Sequence, residues 1–116
     1  AAVAKASCVL ANHLGARCII AHSQSGLTAR ALARFRPRQP IVALSPNEET
    51  VRRLALVWGC QPIQVRDFKD TDDLIEKAAQ AALAAGELAP GELAVITLGH
   101  PLWTTGSTNM IRVKEL

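Results

Sequence analysis

The sequence predicts an α/β domain of three layers (αβα), with a mostly parallel five-stranded sheet and an antiparallel last edge strand. Three observations predict it. Short continuous apolar runs, such as Ile41-Val42-Ala43-Leu44 and Leu93-Ala94-Val95-Ile96-Thr97-Leu98, read as strands buried on both faces. Stretches with helical periodicity and capping residues stand between them. The chain has 116 residues, enough for one core and too few for two, so 1–116 is expected to be a single domain.

In chain order, Ala1 to Leu14 is Ala-rich, with Val3, Val9 and Leu10 near helical spacing, and Gly15 supplies a stop. His13 near that end reads as a surface residue. Cys18–His22 is the first strand. Thr28–Arg34 is a second helix of good helix formers, entered through Ser23-Gln24-Ser25-Gly26-Leu27, with Ser25 or Ser23 as its cap. Pro37 and Pro40 make an extended link to the strand Ile41–Leu44. Ser45 reads as the next N-cap, with Pro46 in the first turn and Glu48 closing a capping box. That helix carries Val51, Leu54, Ala55, Val57 and Trp58 and ends at Gly59. Ile63-Gln64-Val65 is a weaker strand. Asp70 or Thr71 caps a helix over Asp72–Ala85 with an apolar stripe of Leu74, Ile75, Ala78, Ala82 and Leu83, stopped by Gly86. The strand Leu93–Leu98, a Gly/Pro/Thr loop over Gly99–Ser107 and a last strand Thr108–Val113 complete the order. No helix separates the last two strands, which permits the antiparallel edge.

Composition narrows the function. Hydrophobic residues make up 49%, which favours a packed globule over disorder. With two Trp, two Phe and no Tyr, base-stacking nucleic-acid modules are disfavoured. A net charge of +3 suits an anionic ligand without marking a DNA binder. Cys8, Cys18 and Cys60 show no metal or redox spacing and read as reduced, buried small hydrophobes of a cytoplasmic protein. No apolar run reaches membrane-spanning length, and the first residues lack signal-peptide character. The start without Met, as if in mid-helix, suggests a processed product or a piece of something longer.

Strand, small polar turn, helix is a layout that aims backbone N–H groups at an anion. Ser23, Gln24, Ser25, Gly26 and Thr28 are therefore the candidate cradle, with Gly26 permitting close approach to the main chain. The Gly99–Ser107 loop brings Thr104, Thr105, Gly106, Ser107 and Thr108 toward the same crevice if the two strands are neighbours. The bland alternative is two loops that close the sheet and bind nothing. A nucleophile elbow fails because Ser23 stands where Gly is needed, and a Walker loop fails because no Gly-Lys-Ser/Thr occurs. Cys60 has no base near it in sequence and reads as structural. His22 and His100 stand at strand ends beside the crevice, available to a phosphate when protonated and neutral at pH 7. Arg34, Arg36 and Arg38 read as a solvated or interface-forming link.

Five stretches together resemble the C-terminal domain of pyruvate kinase, closest to the bacterial form. They are Ser25-Gly-x-Thr-Ala-Arg30, Arg34-Phe-Arg-Pro-Arg-x-Pro-Ile41, Arg52-Arg-Leu-Ala-Leu-Val-Trp-Gly59, Thr71-Asp-Asp-Leu and Gly106-Ser-Thr-Asn-Met-Ile-Arg-Val113. The resemblance implies a regulatory domain that binds a phosphorylated effector, a sugar phosphate or AMP, through Ser23, Gln24, Ser25, Gly26, Leu27 and Thr28 with Gly106 and Ser107. It implies a homo-oligomer and a catalytic barrel as partner. That barrel, with Mg²⁺ and K⁺, transfers phosphoryl from phosphoenolpyruvate to ADP in glycolysis. No cofactor, metal, catalytic residue, nucleic acid or membrane is implied for this chain, which alone is expected to be inactive. Many relatives carry Lys or Arg where Leu27 stands, and some carry Lys where Gln24 stands. This sequence has neither, leaving His22, Arg30 and His100 as substitutes and weakening charge-assisted binding. Two other readings stay open: a free-standing small enzyme acting on a phosphorylated substrate, marked by a perturbed His or Cys in the crevice, and a dimerisation module pairing through Met110–Val113.

Overall fold

Alternation along the first strand, β1 (Cys18–His22), sets the architecture. Its side chains point to opposite faces in turn, and both faces are covered. Ile19 and Ala21 join one core with Ala4 and Ala11 of α1 (Ala2–Leu14), Leu32 of α2 (Leu27–Arg34) and Leu54 of α3 (Glu48–Leu54). Cys18 and Ile20 join the other with Leu74, Ile75, Ala78 and Ala82 of α4 (Thr71–Ala84). Every residue of β1 and of β2 (Ile41–Ser45) is buried, the reason these strands read as unbroken apolar runs. The computed structural model describes residues 2–99 and 108–116.

The sheet has five strands in the order β3-β2-β1-β4-β5, with β3 at Cys60–Gln64, β4 at Leu93–Gly99 and β5 at Thr108–Glu115. The pairs β1–β2, β1–β4 and β2–β3 are parallel, and β4–β5 is antiparallel. The three-layer mixed sheet with an antiparallel last strand is thus the one expected. Thr97, a buried hydroxyl within β4, shares a 2.8 Å hydrogen bond with Ser7 of α1.

Several boundaries differ from the sequence expectation, each for a physical reason. Neither Ser23 nor Ser25 caps α2: its N-cap is Gly26, in the left-handed region at φ 85°, with no side-chain cap. The cap of α3 is Asn47 rather than Ser45, its side chain accepting from the Glu49 and Thr50 N–H groups. Pro46 therefore precedes the cap, and Glu48 pairs with Arg52 at 2.8 Å instead of closing a capping box. This helix ends at Leu54, so Leu56 and Trp58 lie beyond it and are 92% and 49% exposed. β3 begins at Cys60, three residues before the expected Ile63, because the chain pairs with β2 as soon as it leaves Gly59. Asp70 caps α4 by accepting from the Asp73 N–H at 2.8 Å.

Candidate functional site

In an open parallel sheet the ligand crevice lies beyond the carboxyl ends of the strands, where the connection direction reverses. Here β1 leads to β2 and β3 on one side, and the chain then returns to place β4 on the other side of β1. The reversal falls between β1 and β4, which run in register to Ala21↔Thr97. The turn leaving β1 and the connection leaving β4 therefore start from adjacent strand ends.

The turn after β1 is tied down on three sides. The Ser23 N–H donates to the Leu44 carbonyl at 2.9 Å. The Ser23 hydroxyl accepts from the Gly26 N–H at 2.9 Å, closing the turn on itself. The Gln24 carbonyl accepts from the Thr50 hydroxyl at 2.8 Å and more weakly from the Ser45 hydroxyl at 3.4 Å. A Cβ on Gly26 would meet Leu54 Cδ2 and Thr50 Cγ2 at 3.2 Å, so α3 presses directly on the turn and only glycine fits without a shift. Ser25 and Leu27 face solvent, while Thr28 is buried. Ser25 Oγ makes only a long 3.4 Å contact with the Leu27 N–H. The N–H groups of Gln24 and Ser25 have no acceptor among the described residues. The neighbouring helices differ: Asn47 and Asp70 satisfy the first-turn amides of α3 and α4 with their own side chains.

His22, the last residue of β1, is 4% exposed and stands edge-on to Phe68 with ring centroids 5.5 Å apart. Its Nε2 has no hydrogen-bond partner among the described residues, and burial pushes its pKa down to about 4. The imidazole is therefore neutral across the physiological range. It does not supply the positive charge that the sequence offered for a phosphate.

The family described as pyruvate kinase, alpha/beta domain, matches residues 1–114. The chain belongs to this family. Pyruvate kinases of Staphylococcus aureus strains USA300, NCTC 8325 / PS 47 and COL are 40% identical to it over 101 residues, or 87% of this chain. The chain spans 17% of the length of each of these relatives.

Within this pyruvate kinase domain, Ser23, Gln24, Ser25 and Gly26 form one continuous turn at the sheet's switch point, and Thr28 follows in the first turn of α2. Gly106 and Ser107, with His100, Thr104 and Thr105, lie outside the described residues. Sequence reasoning missed Thr50 and Ser45 as supports of the turn. The available signal was the burial of two hydroxyl residues next to the turn's strand, which no spacing pattern reveals. All three cysteines are free, and burial raises each thiol, Cys18 to about 11, so none is activated as a nucleophile. Cys8 and Cys60 are half-buried, which corrects the expectation of three buried thiols. In the arginine link, Arg36 adopts φ 48° and lies 4.7 Å from the Trp58 ring centroid, while Arg38 donates to Asn12 Oδ1. Among the described residues no cluster of His, Cys, Asp and Glu is arranged to hold a metal, and no helix is long and apolar enough to cross a membrane.

Proposed function

We propose that this chain is the regulatory and oligomerisation domain of a cytoplasmic pyruvate kinase, taking a phosphorylated effector at the 23–28 turn. The parent reaction, phosphoryl transfer from phosphoenolpyruvate to ADP with Mg²⁺ and K⁺, belongs on this reading to a separate catalytic domain. This chain then contributes control and assembly rather than chemistry. The observation that carries the reading is the turn at the β1–β4 switch point, whose Gln24 and Ser25 amides have no acceptor among the described residues. A phosphate monoester offers several strong acceptor oxygens to such amides, and the start of α2 adds its dipole. Because Gln24 and Leu27 are uncharged, recognition rests on amides and hydroxyls, with Arg30 exposed one turn into α2.

Assembly on this reading uses β5, which forms one edge of the sheet and carries Val113 at 44% exposure. Edge strands offer unpaired backbone groups to a second copy. The effector reading is tested by calorimetry with AMP and glucose 6-phosphate on the unaltered chain and on Ser25→Ala and Thr28→Ala. Both substitutions are expected to weaken binding; unchanged affinity in both places the ligand elsewhere.

A further inference from the structure

We propose that Thr50 is a positioning residue for the anion turn, its hydroxyl locking the Gln24–Ser25 peptide so that the Ser25 N–H faces outward toward a phosphate oxygen. The proposal rests on the effector reading above and names the residue that makes the turn a donor. Thr50 sits in α3 and is 3% exposed. A helical threonine commonly returns its hydroxyl to the carbonyl four residues back. Here that carbonyl, on Pro46, accepts from Gln64 Nε2 at 3.1 Å, and the Thr50 hydroxyl crosses to the Gln24 carbonyl at 2.8 Å.

The consequence follows from peptide geometry. In a planar trans peptide the C=O of one residue and the N–H of the next point in opposite directions. With the Gln24 carbonyl drawn toward α3, the Ser25 N–H must point away from α3, and Ser25 is on the exposed side of the turn. The Ser45 hydroxyl reinforces the same orientation at 3.4 Å. Thr50 Cγ2 and Leu54 Cδ2 stand against Gly26, so the turn is braced next to the peptide that is held. If the peptide turned over, a carbonyl oxygen would face the phosphate and attraction would become repulsion. Thr50 thus sets the sign of the turn's interaction with an anion while lying outside the cradle itself.

The test compares the unaltered chain with Thr50→Val, which removes the hydroxyl at nearly constant shape, and Thr50→Ser, which keeps it and drops the methyl. Crystal structures without ligand report the orientation of the Gln24–Ser25 peptide, and calorimetry with AMP and glucose 6-phosphate reports affinity. The expected result is a reoriented peptide and an affinity lowered about tenfold in Thr50→Val, the scale of one hydrogen bond to a charged group, with both restored in Thr50→Ser. An unmoved peptide, or AMP affinity in Thr50→Val equal to that of the unaltered chain, overturns the role of Thr50. Loss of binding in Thr50→Ser equal to that in Thr50→Val also overturns it, because packing would then be the cause. Failure of the unaltered chain to bind either probe ends the effector reading and this role with it, whereas binding insensitive to Thr50 ends this role alone.

Discussion

The two ends of the parallel strands meet solvent in opposite ways. At the amino end, the segments entering β1, β2 and β4 surround an open cleft of about 550 Å³, with Arg17, Arg38, Pro40, Gly91 and Glu92 among its walls. At the carboxyl end, the turn after β1 is braced by Ser45, Thr50 and Leu54. Helices α1 and α2 finish at the amino end, where their carbonyls concentrate negative charge, while the cleft walls carry Arg17 and Arg38 beside Glu92. Helix α2 starts at the carboxyl end with Gly26, which has no side chain, as its N-cap. The two ends thus offer an anion different chemistry, arginine side chains at one and backbone amides at the other.

Glycine substitutions should separate the two ends most sharply. Gly26→Ala forces a Cβ into Leu54 and Thr50 at a φ of 85°, combining left-handed strain with overpacking. A loss of about 4 kcal/mol is expected in urea unfolding. Gly91→Ala, at the same φ of 85° but with nothing within 4 Å of the added Cβ, should cost only the conformational part, about 1 kcal/mol. Equal losses would mean that the packing of α3 on the turn has no energetic weight.

The next effect is a pH dependence centred on the carboxyl end. Folding lowers the His22 pKa from 6.5 to about 4, so as pH falls the unfolded chain takes up the proton first. Stability from this group is therefore complete above about pH 6.5 and is lost as pH falls toward 4, a change of about 2 to 3 kcal/mol. Urea unfolding across that window should show the slope, and His22→Leu should flatten it. A slope unchanged in His22→Leu would assign it to other groups.

The smallest effect belongs to the amino end. Arg17 and Glu92 approach at 4.0 Å and are both exposed, so Arg17→Ala should change stability by less than about 0.5 kcal/mol. A much larger loss would show that the cleft is a structural centre rather than an open margin.

Much of the fold is legible in the sequence. The burial of β1, β2 and β4 on both faces leaves uninterrupted apolar runs, so strand identity, order of elements and the antiparallel finish were all legible. The Ser23–Gly26 turn was legible as the connection between β1 and α2, because Ser and Gly favour such junctions. What stayed hidden depends on contacts between distant residues. Asn47 displaces Ser45 as the cap of α3 because Ser45 is drawn into the sheet as the last residue of β2. His22 looked like a solvated cation in waiting, and only its position between the sheet and Phe68 reveals it as a buried neutral ring. Thr50 could not be linked to Gln24, 26 residues earlier, without knowing that α3 lies against the turn.

The most direct test of the central claim is a titration of the ¹⁵N-labelled chain with AMP, followed by amide chemical shifts. The account predicts that the largest changes fall on Gln24, Ser25 and Gly26 and saturate together. Changes concentrated on Arg17, Arg38 and Gly91 at the opposite end of the sheet, or no saturable change at all, would contradict it.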